Sequence, residues 1–384
     1  MSNPGAQPPP DWKRILVVRL DAIGDYVLFR NTLRFLRESE PFRSAHLAVL
    51  GNPAWRSLAE AYDADAADEW IWAENRTDLF RKSHENLMPG FVWRRRVARA
   101  QSALRERIVA GNYNVVVSPQ STRDPLLDQL LRGTAPEVVG VANPGRADID
   151  DSAYTRLVNP GDDAFVFDRN RRVAGALAHR RCDVPLSLPA RSERAVGEQL
   201  KVVFFLGASH WTKRWPCHNW CALASRLLAN YRFATLRLCG GKADRARAAR
   251  LVRSLPDADA RFRVKILAGE QSLSELAETI AGASVIVTND TCALHIAAAA
   301  DTPCIAIVNG ETGRGGFWPY PAKLKPAVTV VQPVPRFRTG TLSNVPGLGL
   351  LLSQRRQYRD LAGIGVPHVW SILNGACIKA LKGT

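Results

Sequence analysis

The chain has 384 residues, 46% of them hydrophobic, with 52 Lys+Arg against 36 Asp+Glu. That length suits two domains, and that apolar fraction excludes a disordered chain. The net charge of +16 favours polyanionic partners such as nucleic acid, anionic lipid headgroups or phosphorylated glycans. The densest basic runs are Arg94–Arg96 with Arg99, Arg169–Arg172, His179–Arg181 and Arg355–Arg356. They read either as solvated helix faces or as a surface for anionic membrane or a phosphate-bearing acceptor.

Seven scattered cysteines, an odd number, argue against a secreted disulfide scaffold. Cys217 and Cys221 lack a second ligand pair at zinc spacing. Most of the ten Trp are expected in cores. The Pro-rich start has no apolar stretch like a signal peptide, and no apolar run approaches the ~20 residues of a bilayer span.

In chain order, residues 1–11 read as a flexible leader. Arg14–Arg19 is a β-branched run of the kind found in buried parallel strands, followed by a loop with Gly24 and a helical pattern from Val27. Strands are expected at Ala45–Leu50, Trp70–Trp72, Asn114–Ser118 and Glu137–Val141, with helices from about Ala54 and over Val92–Ala110. Residues 142–200 are polar, Arg-rich and weakly periodic. A second series follows, with strands at Lys201–Leu206, Ala234–Cys239, Val264–Leu267, Val285–Thr288 and Cys304–Val308. Helices are expected between them, at Asn219–Asn230, Ala243–Ser254, Leu273–Ala281 and Ala293–Ala300. Beyond 336 the pattern is loop-like, with candidate helices at Gln354–Leu361 and His368–Leu381.

Alternating strands and helices imply parallel, doubly wound sheets, whose ligands sit at the carboxyl ends of strands. The expected organisation is an N-terminal domain over 12–190, a second domain over 191–335 and a partly helical tail over 336–384.

Four segments at strand ends carry candidate chemistry. In the first, Arg19 to Tyr26, Asp25 follows Gly24 between strand and helix. A carboxylate there can take a proton from a hydroxyl, or simply cap the helix. The second, Phe205 to Pro216, places Ser209 and Thr212 hydroxyls beside Lys213 and Arg214. Small residues let backbone N–H groups approach phosphate, and the cations can neutralise a departing diphosphate. A surface loop anchored by Trp215-Pro216 is the plain alternative. In the third, a buried strand runs through Asp290 and Thr291 into an Ala-rich helix with Cys292, Ala293 and His295 in its first turns. Its N-terminus offers a positive dipole end to an anion. An isolated His at this place is equally a packed core side chain. The fourth, Gly310 to Pro321, is a glycine-rich connection from which Arg314 can reach an anion.

Together the Gly-Asp start, the Gly-Ala-Ser segment with Lys-Arg-Trp-Pro, and Asn-Asp-Thr-x-x-x-His-x-Ala-Ala resemble glycosyltransferase family 9, the ADP-heptose:lipopolysaccharide heptosyltransferases, over roughly residues 13–325. The resemblance implies a GT-B fold, α/β, with two Rossmann-like doubly wound domains facing a central cleft. It implies inverting, metal-independent transfer of a sugar from a nucleotide diphosphate to an acceptor hydroxyl of lipopolysaccharide core or a related surface glycan. No cofactor is implied. The family's catalytic base falls on Asp25 and its phosphate-stabilising lysine on Lys213; Asp290, Thr291 and His295 fall on the donor-binding turn. Gly24, Ser209, Thr212, Cys292, Ala293 and Gln271 join the expected donor contacts, with Arg214 and Arg314 as further anion contacts. This chain departs from the family where Cys292 replaces a usual Gly, where Lys242 replaces an acidic residue that often contacts ribose, and at Gln271, near a position that often reads the nucleobase.

The expected location is cytoplasmic, with peripheral contact on the inner face of a bacterial inner membrane. Three rivals remain open. A metal-dependent transferase would use Asp148-Ile149-Asp150. A nicotinamide oxidoreductase would need the Gly-x-Gly-x-x-Gly that the first loop lacks. The last is a non-catalytic protein binding sugar nucleotides or nucleic acid, although no nucleic-acid motif stands out.

Overall fold

The computed structural model describes residues 11–73, 90–120, 123–142, 151–163, 165–189, 192, 199–309, 316–325, 327–333 and 360–383. Arg314, the 148–150 Asp pair, Arg355 and Arg356, and the whole 336–359 stretch lie outside the described residues. The chain divides into two compact units, Met1–Pro185 and Leu186–Thr384.

The first unit is built on β1 (Arg14–Arg19), β2 (His46–Gly51), β3 (Glu69–Trp72), β4 (Val115–Val117), β5 (Glu137–Val141) and β6 (Arg156–Val158). These pair in parallel in the order β3-β2-β1-β4-β5-β6. Ile15 to Val18 are fully buried, as a central strand covered on both faces requires. Helices α1 (Ile23–Val27), α2 (Arg30–Arg37), α3 (Arg56–Tyr62), α4 (Gly90–Ala110), α5 (Pro125–Leu131) and α6 (Val166–Leu177) connect or flank the strands. Pro125 at the first turn and the Asp124 carboxylate accepting from Leu126 N–H start α5.

The second unit repeats the scheme. Its strands are β7 (Lys201–Phe205), β8 (Thr235–Cys239), β9 (Val264–Ile266), β10 (Val285–Asn289), β11 (Cys304–Ile307) and β12 (Val328–Val331). They are parallel in the order β12-β11-β10-β7-β8-β9. Counted from β1 or from β7, each sheet has the doubly wound order 3-2-1-4-5-6. Helices α7 (Cys217–Asn230), α8 (Arg245–Arg253), α9 (Ala258–Phe262), α10 (Leu273–Ala281) and α11 (Cys292–Ala299) lie between the strands. Ser272 and Glu275 close a capping box at the start of α10. The last helix, α12 (Val366–Lys382), returns to this unit. Its Val369, Trp370, Leu373 and Cys377 join the same core as Trp215, Trp220 and Leu227. Trp215 Nε1 donates to the Ile364 carbonyl at 3.0 Å, and Tyr231 Oη donates to Asn374 Oδ1 at 2.6 Å.

Residues 142–200 contain more order than their polarity suggests. In α6, Val166, Phe167, Asn170, Val173, Ala174 and Leu177 form a buried helical stripe between Arg and Asp positions. Strand β6 has only three residues, two of them half-buried, too short for a pattern to register. β12 and α9 escaped for the same reason. All seven cysteines are free thiols. Among the described residues no helix is long and apolar enough to cross a membrane.

Candidate functional site

Each sheet has its switch point where the first and fourth strands lie side by side. These are β1 and β4 in the first unit, β7 and β10 in the second. The segments beyond their carboxyl ends are where such folds take ligands, and three of the four candidate segments fall there.

In the first unit, β1 delivers Arg19 into the interior, 2% exposed. Its guanidinium bonds Asp21, the Pro119 carbonyl beyond β4 at 3.1 Å and the Asp25 carbonyl at 3.4 Å, and lies 4.4 Å from the Phe29 ring centre. Asn52, at the end of β2, donates to the Asp21 carbonyl at 2.7 Å. The loop bearing Asp25 is thus held from two neighbouring strands. Gly24 lies inside α1, and Asp25 Oδ2 accepts from Ala22 N–H at 3.2 Å while its side chain stays half-buried. The capping contact is therefore present, and it leaves the carboxylate accessible.

Beneath this loop Tyr26 stacks on Trp55 at 4.0 Å, and its hydroxyl donates to fully buried Asp63. Arg30 and Arg34 both pair with that carboxylate. Burial and the Asp63 charge raise the Tyr26 phenol well above its ordinary range, so it remains a donor. Arg30 and Arg34 thus serve internal ion pairs.

In the second unit, Asn289 at the end of β10 holds the segment after β7. Its Nδ2 donates to the Leu206 and Gly207 carbonyls, and its Oδ1 accepts from Trp215 N–H. Asn309, after β11, donates to the Thr212 carbonyl. Arg214 turns back to the Ala208 carbonyl with two nitrogens, a loop-holding contact rather than an extended cation. Lys213 Nζ meets Asp290 Oδ2 at 2.8 Å. Thr291 caps α11 by accepting from Ala293 N–H. Cys292 and Ala293 open that helix, and burial pushes the Cys292 thiol up to about 11. His295, 4% exposed, shares a 2.6 Å hydrogen bond between Nδ1 and Tyr320 Oη. Burial depresses the imidazole to about 4, with Asp290 opposing and Lys213 adding to the shift. Asp290, Lys213 and His295 therefore form one electrostatic group at the positive end of α11.

Ser209 is exposed and Thr212 buried, its hydroxyl bonded to His210 Nδ1. Gln271 stands on the other side of β7. Its amide donates to Thr279 Oγ1 and accepts a contact from the Cys239 thiol. Lys242 occupies the turn after β8, and two residues later Asp244 accepts from Gly241 N–H. Asp244 is 6% exposed and packs against Gly207, where a Cβ would collide with its carboxylate. An acidic side chain thus stands near the place where Lys242 departs from the family. Sequence reasoning missed Arg19, Asn52, Asn289, Asn309, Asp244 and Tyr320 as supports. For Arg19, Asn52, Asn289 and Asn309 the signal is a polar residue at or just past a strand end; Asp244 and Tyr320 carry no such mark. Among the described residues no group of three His, Cys, Asp or Glu side chains is placed to hold a metal ion.

Comparison with known proteins bears on the family and the fold. Residues 176–342 match the model of glycosyltransferase family 9 (heptosyltransferase). The chain is 35% identical over 114 residues to lipooligosaccharide heptosyltransferase 2 of Haemophilus influenzae, covering 29% of this chain and 32% of that protein. It is 36% identical over 115 residues to lipopolysaccharide heptosyltransferase 1 of Pseudomonas aeruginosa, covering 30% of each. The matched region thus spans about a third of the curated relatives' length. The structure of Escherichia coli heptosyltransferase WaaC with ADP superposes with a TM-score of 0.66 at 18% identity, over 94% of this chain and 99% of that one. A family 9 glycosyl transferase from Veillonella parvula gives 0.66 at 16% identity, over 96% and 98%. The fold is accordingly GT-B, with two Rossmann-like units.

Proposed function

We propose that this chain, whose residues 176–342 match glycosyltransferase family 9, is a member of that family and transfers a sugar from a nucleotide diphosphate to a hydroxyl of lipopolysaccharide core or a related glycan. Heptose from ADP-heptose is the donor that the family favours. The observation that carries the reading is the joining of Lys213, Asp290 and His295 at the start of α11. A fixed cation beside a helix N-terminus is suited to a diphosphate.

In the proposed mechanism the second unit binds the donor. Gln271 and the β8–β9 side contact the nucleoside, and Ser209, Thr212 and the Thr291–Ala293 turn contact the phosphates. The acceptor binds the first unit. Asp25 removes the acceptor proton as that oxygen bonds to the anomeric carbon. The bond from that carbon to the phosphate oxygen breaks, and the nucleoside diphosphate leaves with its charge met by Lys213 and the α11 dipole. One displacement inverts the anomeric centre and needs no metal. Asp290 acts on Lys213 rather than on phosphate, holding the ammonium where the diphosphate arrives. The protein works on the cytoplasmic side, and its +16 charge favours an acceptor borne on an anionic membrane.

A thermal-shift screen of nucleotide sugars tests this reading, because a ligand that binds only the folded state raises Tm. ADP-heptose or another nucleoside diphosphate sugar should raise Tm selectively. No shift with any of them, alongside salt-sensitive binding to nucleic acid, would favour the non-catalytic alternative.

A further inference from the structure

Gln120 lies three residues beyond the last residue of β4, at the switch point of the first sheet, and is 5% exposed. Its Nε2 is buried and has no hydrogen-bond partner among the described residues. An amide N–H group left so is destabilising, and folded proteins leave few of them. Two of the other orphaned nitrogens of this unit have a plainer setting. Trp55 Nε1 lies in an aromatic cluster with Tyr26 and Trp72. The Arg156 guanidinium, one of whose nitrogens is orphaned, already bonds Glu137 through Nε. Gln120 is instead a carboxamide with its donors unmet, at the strand end where this fold receives ligands.

Its setting ties it to Asp25. The Arg19 guanidinium donates from one terminal nitrogen to the carbonyl of Pro119, the residue before Gln120, and from the other to the carbonyl of Asp25. Arg19 is 2% exposed and is paired with Asp21 at 2.9 Å. One locked, planar group therefore sets the backbone beside Gln120 relative to the backbone that carries Asp25.

We propose that Gln120 is an acceptor-binding residue, whose buried carboxamide N–H group donates to a hydroxyl or carboxylate oxygen of the acceptor sugar. This rests on the transferase reading above, with Asp25 as the base. The orphaned amide is a cost carried by the free protein and relieved when the acceptor oxygen enters. It orients the sugar so that the reacting hydroxyl lies against the carboxylate.

The test uses the full chain with Gln120→Met and Gln120→Glu. Both keep the side-chain length, and both remove the N–H donors. The probes are ADP, ADP-heptose and lipopolysaccharide lacking heptose. The Tm of free Gln120→Met should equal or exceed that of the wild type, because its amide nitrogen makes no hydrogen bond among the described residues. ADP should bind both proteins within about twofold. Binding of the heptose-free lipopolysaccharide, and its KM in transfer, should weaken roughly 10- to 100-fold in both variants, with a smaller change in kcat. A lowered Tm in Gln120→Met would reveal a structural partner and overturn the proposal. Unchanged acceptor binding would overturn it too. The Tm and acceptor-binding arms need no turnover. If the wild type transfers no sugar, the transferase reading fails, and these two arms still decide the role of Gln120.

Discussion

Lys213 and Asp290, 77 positions apart, meet at 2.8 Å with the carboxylate side chain 8% exposed and the lysine 27% exposed. The pair joins the segment after β7 to the segment after β10, so neither residue has its role alone. Lys213→Met should strand a largely buried carboxylate, which costs about 1–3 kcal/mol in stability and also removes the proposed phosphate contact. Asp290→Asn should cost less stability and leave Lys213 less well placed. Urea unfolding of the two single variants and the double variant gives the coupling energy. A coupling near zero would show that the two side chains do not act on one another.

His295 predicts a pH dependence. Its imidazole is depressed to about 4 in the folded chain, against about 6.5 unfolded. Between these values the unfolded chain binds the extra proton, so stability is full above about pH 6.5 and falls as pH drops towards 4. The slope contributed by this residue approaches 1.4 kcal/mol per pH unit, to order of magnitude. Replacing it by Gln should flatten that part of the profile, measured as the unfolding free energy from pH 4 to 7. An unchanged slope would mean that the imidazole is not held neutral by burial.

Gly207 predicts a steric effect. A Cβ at this position would collide with the Asp244 carboxylate, which also accepts from Gly241 N–H. Gly207→Ala should therefore displace the segment leading to Lys213 and weaken nucleotide binding by roughly tenfold or more, about 1.4 kcal/mol. Titration calorimetry with ADP checks this. Wild-type affinity would show that the segment yields without cost.

The proposed metal-free displacement predicts that EDTA leaves transfer unchanged within twofold. Loss of activity in chelator, restored by a divalent cation, would favour the metal-dependent rival.

The strands that build the two switch points were legible because they are buried on both faces. Ile15–Val18 and Val285–Val287 need an unbroken apolar run, as do Leu47–Leu50 and Val202–Phe204 beside them. The segments after β1, β7 and β10 were legible as motifs, since small and polar residues at a strand end have few other uses. The contacts among them were not. That Asn289 holds both Leu206 and Trp215, or that Tyr320 meets His295, follows from strand order, which local patterns do not encode. α6 was hidden because its six buried positions are interleaved with Arg169, Arg171 and Arg172. Arg19, Arg30 and Arg123 lie inside the protein, each paired with an aspartate, a use that sequence alone does not separate from surface charge.

The central claim is that Asp25 takes the proton while the second unit holds the donor. Its most direct test is Asp25→Ala, assayed for sugar transfer from ADP-heptose to heptose-free lipopolysaccharide by mass spectrometry, with donor affinity measured on the same protein. A general base is worth about 10²–10⁴ in rate, so transfer should fall by that factor with donor affinity within about threefold of wild type. Near-normal transfer, or donor binding lost in step with activity, would contradict it.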